Sequence, residues 1–160
     1  MQVRSADAAE IDHLARLWYD GWHRMHAPLV PPELTRLRTL ESFRERLQAA
    51  LSDIRVAGPL GGPVGFYVLK RDELYQLFVS PEAHGSGVAA ALIADAEARL
   101  VKRGVETAWL ACAVGNYRAA RFYEKSGWHM AGTFVISSET SNGPFPVEQW
   151  RYEKRLTRST

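Results

Sequence analysis

Apolar positions along the chain fall into helical and extended rhythms that divide it into successive elements. Ile11, Leu14, Trp18 and Trp22 recur at three- and four-residue steps, the spacing of one helical face. Asp7 and Glu10 precede them in the spacing of a capping box, so a helix is expected behind Asp7, with Gly21 loosening its far end. Trp18 then belongs to the core and His13 to solvent. A short strand, Gln2 to Arg4, comes before, and Trp22 to Pro28 leads into a Pro-rich loop through Pro31 and Pro32. Thr39 is a good cap for a second helix, which carries Leu40, Phe43, Leu47 and Leu51 on one face and Glu41 in its first turn.

The rhythm then changes to period two. Ile54 to Ala57 form a strand, and the Gly/Pro-rich turn 58–63 leads into a return strand. There Val64, Phe66 and Val68 alternate with Gly65, Tyr67 and Leu69. Arg71 and Asp72 make a tight turn into the next strand, where Leu74, Gln76 and Phe78 alternate with Tyr75, Leu77 and Val79 until Pro81 stops the pairing. Val88, Leu92, Ala96 and Leu100 return to helical spacing. That helix ends at Gly104 behind Arg99, Lys102 and Arg103, which suit the negative end of its dipole. Thr107 to Ala113 reads as a buried strand, parallel to the one before it because a helix crosses between them. Asn116 caps the last helix and Gly127 ends it. Two closing strands, Trp128 to Ile136 and Val147 to Lys154, flank a polar loop at 137–146. The expected architecture is a single α/β domain over residues 1–160 with a mixed, largely antiparallel sheet.

Composition narrows the function. A hydrophobic share of 46% in 160 residues suits one globular domain with a sizeable core. A net charge of +2 argues neither for nor against an acidic partner; nucleic-acid binding would want a clustered basic face, and no nucleic-acid partner is expected. No leader-like segment and no apolar run of membrane-spanning length is present, so no membrane partner and a cytoplasmic location are expected. The single cysteine, Cys112, excludes an internal disulfide and reads as a buried strand thiol. His23 and His26 have no third ligand at suggestive spacing, so no metal is expected.

The chemistry concentrates between the central strand and the helix that follows. His84, Gly85, Ser86, Gly87, Val88 and Ala89 present successive backbone N–H groups at a helix start, which makes either an anion site or a simple helix-starting turn. Gly85, Gly87 and Ala90 also satisfy a dinucleotide fingerprint. That fingerprint wants its glycines directly behind the strand and an acid ending the next one, whereas here Ser80 to His84 intervene and Thr107 to Ala113 ends without a carboxylate.

This stretch resembles the acyl-CoA-binding signature of the GNAT superfamily of N-acetyltransferases, Arg/Gln-x-x-Gly-x-Gly/Ala. It matches at Gly87 and Ala89 but carries His84 where the family has Arg or Gln. A second stretch, Asn116 to Trp128, resembles the family's Asn-x-x-Ala-x-x-(Phe/Leu)-Tyr-x-x-x-Gly-(Phe/Trp), in the right order and separation. The resemblance implies a three-layer GNAT-like sandwich with helices on both sides of the sheet. It also implies acetyl-CoA as co-substrate and direct transfer to a primary amine, on a small molecule or a peptide, within a ternary complex. A homodimer is compatible with it, and a non-catalytic CoA-binding domain of the same fold is the alternative.

Residue roles follow from the same resemblance. Tyr123 would be the acid that protonates the leaving thiolate, with Asn116, Ala120 and Tyr123 on one helix face and Phe122 turned toward the core. Leu77, Phe78 and Val79 would hold the pantetheine arm through their backbones, where the strand splays from its neighbour. Asn116 would cap its helix and hold the cofactor arm. An alkylammonium with a pKa near ~10.4 is only about a thousandth deprotonated at neutral pH, a deficit of roughly 4–5 kcal/mol, so a base or proton path is required. Glu73 stands where some members carry a catalytic glutamate, while the position used by others is Ala111; Tyr75, on the same face as Glu73, could instead order a water chain. The segment after the first helix forms the acceptor wall in the family, which makes Trp22, His23 and His26 candidate substrate contacts.

Overall fold

The computed structural model describes residues 2–138, 140 and 142–156. Its seven strands are β1 (Val3–Ser5), β2 (Ile54–Ala57), β3 (Gly65–Lys70), β4 (Glu73–Val79), β5 (Thr107–Ala113), β6 (His129–Ser138) and β7 (Phe145–Arg155). They form one sheet in the order β1-β2-β3-β4-β5-β7-β6, antiparallel everywhere except between β4 and β5. Five helices cover it: α1 (Ile11–Met25), α2 (Pro32–Leu37), α3 (Leu40–Ala49), α4 (Val88–Lys102) and α5 (Tyr117–Lys125).

The sheet has a core on each face. On one, Ile11, Leu14 and Trp18 of α1 meet Phe43 and Leu47 of α3 over Val56, Phe66 and Phe78. On the other, Leu92, Ala96 and Leu100 of α4 and Ala120 and Tyr123 of α5 cover Tyr67, Leu69, Leu110 and Tyr152. This is the expected three-layer sandwich. The helical spacing read from α1, α3 and α4 is what builds both cores, and burial of each large apolar side chain stabilises by about 1.5–3 kcal/mol.

Local chemistry explains most boundaries. Asp7 and Glu10 form their capping box around a 3₁₀ turn that continues into α1, and Glu10 also receives two hydrogen bonds from Arg4 at 2.9 and 2.8 Å. That guanidinium holds the Glu10 carboxyl down at about 2. Thr39 Oγ1 accepts from the Ser42 amide at 3.1 Å and starts α3 as expected. The Pro-rich segment is not all loop: Pro32 at the first helical position starts α2, where a missing N–H costs nothing, and Leu34 is buried beneath it. The strand β1 sits one residue later than read from sequence, and β6 and β7 run longer, because cross-strand pairing continues from Ile136↔Val147 to Ser138↔Phe145.

Two features of β4 depart from simple alternation. Val68 pairs with Gln76 but Leu69 pairs with Leu74, so Tyr75 is an extra residue, a β-bulge. The bulge resets the faces. Leu74 and Leu77 belong to the α4 side, whereas Tyr75 and Phe78 belong to the α1 side. Strict alternation had grouped Leu74 with Phe78 and Tyr75 with Leu77, which the extra residue corrects. The second feature is the Phe78 ring, which lies where a Gly21 side chain would be: a Cβ there would fall 1.9 Å from the ring's Cζ. Gly21 is therefore a notch in the middle of α1 rather than a loosened helix end.

The notch predicts a specific mutational result. Gly21→Ala gains about 1 kcal/mol of helix propensity but forces a methyl into the Phe78 ring, an overpacking cost of about 1–3 kcal/mol. With this overlap the clash dominates, and the melting temperature should fall by several degrees. Gly21→Ala combined with Phe78→Leu should lose less than the sum of the single changes. Thermal melts of the three variants check this, and an unchanged Gly21→Ala melt would refute it.

Candidate active site

β4 and β5 pair at one bridge, Glu73↔Trp109. The Trp109 amide donates to Asp72 O at 3.2 Å and its indole Nε1 to Asp72 Oδ1 at 3.1 Å, which fastens the strands at that end. Beyond it they part. β4 stays on β3 through Gly65↔Val79, and β5 stays on β7 through Ala113↔Gln149. The parting opens a cleft of about 760 Å³ that reaches from the start of α4 across the sheet to α1.

At one end is the turn between β4 and α4. Gly85 and Gly87 have φ of +80° and +88°, a left-handed conformation that glycine adopts without a Cβ penalty, and Gly87 caps α4. No side chain caps this helix, and its first internal bond runs from the Ala91 amide to Gly87 O. The N–H groups of Val88, Ala89 and Ala90 therefore have no partner within the helix, and a Cβ on Gly85 or Gly87 would meet only open space. Such a helix end suits a phosphate or pyrophosphate. Ser86 does not join it: its amide and hydroxyl both donate to Ala83 O, and it lies outside the cleft lining. His84 lines the cleft, but its Nε2 donates to Val79 O at 3.2 Å, so the ring secures the strand end.

α5 supplies the middle of the cleft. Asn116 Oδ1 accepts from the Ala119 amide at 3.3 Å, which makes Asn116 the helix cap, and Asn116 also lines the cleft. Ala120 and Tyr123 are buried, while Phe122 is half-buried. Tyr123 packs between Trp128 and Tyr152 and is the more deeply buried of the two, while Phe122 packs against the same core from a partly exposed position. Tyr123 still reaches the cleft. Burial, with a smaller contribution from Cys112, pushes its phenol pKa above the ordinary value, so it holds its proton as a donor must. Burial likewise raises the Cys112 thiol to about 12, which leaves it protonated and inert at neutral pH.

The far end is walled by α1, α3 and the start of β4. Glu73 is buried at 8% exposure and lines the cleft together with Tyr75, Leu77, Phe78 and Val79. Trp22 and His26 line it as well, their rings stacked 6.1 Å apart at 18°. Burial lowers His26 to about 4, so the imidazole is neutral near pH 7, and its Nδ1 has no hydrogen-bond partner among the described residues. His23 does not join them. Its Nε2 donates to Arg38 O at 2.7 Å and its ring packs on Tyr19, so it ties α1 to the end of α2. Sequence reasoning passed over Arg46, which sits beside Phe43 and Leu47 on the apolar stripe of α3 and extends over the Trp18 ring at 4.5 Å. An arginine at the edge of a buried stripe was the available signal. No cluster of three or more metal-ligating side chains occurs among the described residues.

The sequence model of the Acetyltransferase (GNAT) family matches residues 14–128. An uncharacterized N-acetyltransferase of Archaeoglobus fulgidus is 30% identical over 135 residues, spanning 77% of this chain and 89% of that protein. Another, from Mycobacterium tuberculosis, is 36% identical over 124 residues, spanning 66% and 78%. Among solved structures, a GCN5-related N-acetyltransferase from Rhodopseudomonas palustris shares the fold with a TM-score of 0.76 at 22% identity, covering 96% of this chain and 94% of that one. The PaiA N-acetyltransferase of Thermoplasma acidophilum, solved in complex with coenzyme A, gives 0.67 at 20% identity, with coverage of 96% and 98%.

The open start of α4 has a direct test. Gly87→Val places a β-branched residue at φ +88° and a side chain in the anion's approach. Calorimetric affinity for coenzyme A should drop by about tenfold or more. Unchanged affinity in a folded variant would remove the phosphate role from this turn.

Proposed function

We propose that this chain, which belongs to the GNAT family of acetyltransferases, transfers the acetyl group of acetyl-CoA to a primary amine by direct attack in a ternary complex. The observation that carries the reading is the parting of β4 and β5 after a single bridge, beside an uncapped helix start and a buried tyrosine in one continuous cleft. Backbone groups of Leu77, Phe78 and Val79 would take an extended pantetheine arm as an added strand. The amides of Gly85, Gly87, Val88 and Ala89 would take the pyrophosphate, with Ala119 as the small residue on the cleft side of α5 and Asn116 positioned by its capping bond; Ala120, expected on that face, lies instead in the core beneath α5.

Acetyl-CoA supplies an activated acyl carbon and a thiolate leaving group. As the C–N bond forms and the C–S bond breaks, the Tyr123 hydroxyl donates its proton to the sulfur. The acceptor ammonium loses one proton to Glu73 before attack, and the nitrogen gives up a second as the amide forms, restoring the phenol. In the alternative path, a water held near Tyr75 takes the first proton.

Two variants test these roles. Tyr123→Phe should lower turnover by about 10²–10⁴-fold with little change in cofactor affinity. Loss of binding with turnover intact would reduce Tyr123 to packing.

Glu73→Gln separates the two proton paths. If Glu73 is the base, the variant should lose about 10²-fold or more at neutral pH and lose the limb of the rate that rises with pH through the carboxylate's own pKa. If water near Tyr75 is the path, Tyr75→Phe is the more damaging change. The measurement is the pH profile of the rate at low acceptor concentration in all three proteins, and an unaltered profile in Glu73→Gln would exclude it as the base.

A further inference from the structure

Arg46 is the unexplained charge of the acceptor end. Its guanidinium lies 4.5 Å over the Trp18 ring and donates from Nη2 to Tyr75 Oη at 3.0 Å. It lines the cleft, and its Nε is buried without a hydrogen-bond partner. No carboxylate pairs with it among the described residues. Arginine is always ionised, and a partly buried guanidinium without a counter-charge sacrifices hydration that an acidic partner would replace. Stacking on Trp18 and the bond to Tyr75 fix its plane, so little ordering remains to be done when a second planar group meets the fork.

The surroundings argue against a polycationic acceptor. Among the described residues that line the same cleft, the basic Arg38, Lys70, Arg71 and Arg118 join Arg46 and outnumber the carboxylates Asp72 and Glu73, and the Lys70 ammonium sits 4.7 Å over the Tyr75 ring. Trp18, Trp22 and Leu34 supply an apolar wall. A polyamine would bring further positive charge toward these groups, while a carboxylate would be drawn in. We infer that the acceptor is a small amine that also bears a carboxylate and an apolar body, with the carboxylate held by the Arg46 guanidinium. The inference rests on the acetyl-transfer reading above and names its substrate class.

The experiment uses apolar amino acids such as L-phenylalanine and L-methionine, their carboxamides, and spermidine. Thiol release from acetyl-CoA is followed for each, and binding is measured by calorimetry in the presence of coenzyme A. Amidation lowers the amine's own pKa and so favours the amide chemically, which means any preference for the acid comes from the protein. The acids should be favoured over their amides by about tenfold or more, and Arg46→Gln should abolish that preference by weakening acid binding far more than amide binding. Arg46→Lys keeps the charge without the fork and should retain part of it. If Arg46→Gln does not fold, the selective loss of acid affinity in Arg46→Lys serves instead. Amides or spermidine equal to or better than the acids would overturn the proposal, as would an acid preference that survives in the folded variants. Should no amine release thiol, the transfer reading fails on its own, and calorimetric discrimination of acid from amide still decides the carboxylate site.

Discussion

The paired strands on either side of the cleft are each committed elsewhere. β5 is held along its whole length by β7, from Thr107↔Arg155 to Ala113↔Gln149, and β4 is held by β3 to its last residue. The Tyr75 bulge bends β4 within that ladder, and Asp72 fastens its start to Trp109. The two strands can therefore neither close on each other nor separate further. A gap between strands leaves main-chain groups without a ladder, and a buried unpaired group costs about 1–3 kcal/mol. In the proposed reading an extended ligand supplies the missing edge. The same divergence brings the end of β4 to the uncapped start of α4, so strand gap and open helix start belong to one surface.

The bulge also divides labour between the faces. Because Tyr75 is supernumerary, Tyr75 and Phe78 face α1, while Leu74, Leu77 and Val79 stay with the core beneath α4. The side chains that face α1 and those that support the core beneath α4 thus come from one short strand without interfering.

Most of the architecture could be read from residues. Helical spacing in α1, α3 and α4, the Asp7 and Thr39 caps and the two motifs around Gly87 and Tyr123 all lie within a few residues of one another, where local rules apply. The failures have a common physical origin in contacts between distant segments. Gly21 is required by Phe78, 57 positions away, and looks from its neighbours like a weak helix end. The bulge at Tyr75 is a mismatch between two strands, visible only once they pair. His23 and His26 are equivalent in sequence, yet Arg38 O engages one and Trp22 stacks on the other. Tyr123 is buried more deeply than Phe122 because Trp128 and Tyr152 close over it. Arg46 carried no motif at all, and its meaning comes from the ring beneath it.

The Gly21 notch has a further bearing on how such an enzyme diversifies. With the Phe78 ring seated in it, α1 cannot slide or rotate on β4 without a collision, so that helix and the central strand are mechanically one body. Any change in the width of the cleft must then be absorbed by parts not keyed in this way. The six-residue α2, with Leu34 alone buried, and the half-exposed Ile136 of β6 are those parts, and both line the cleft. Variation there can reshape the mouth of the cleft while the reacting centre keeps its dimensions, which separates the evolution of substrate range from that of the chemistry.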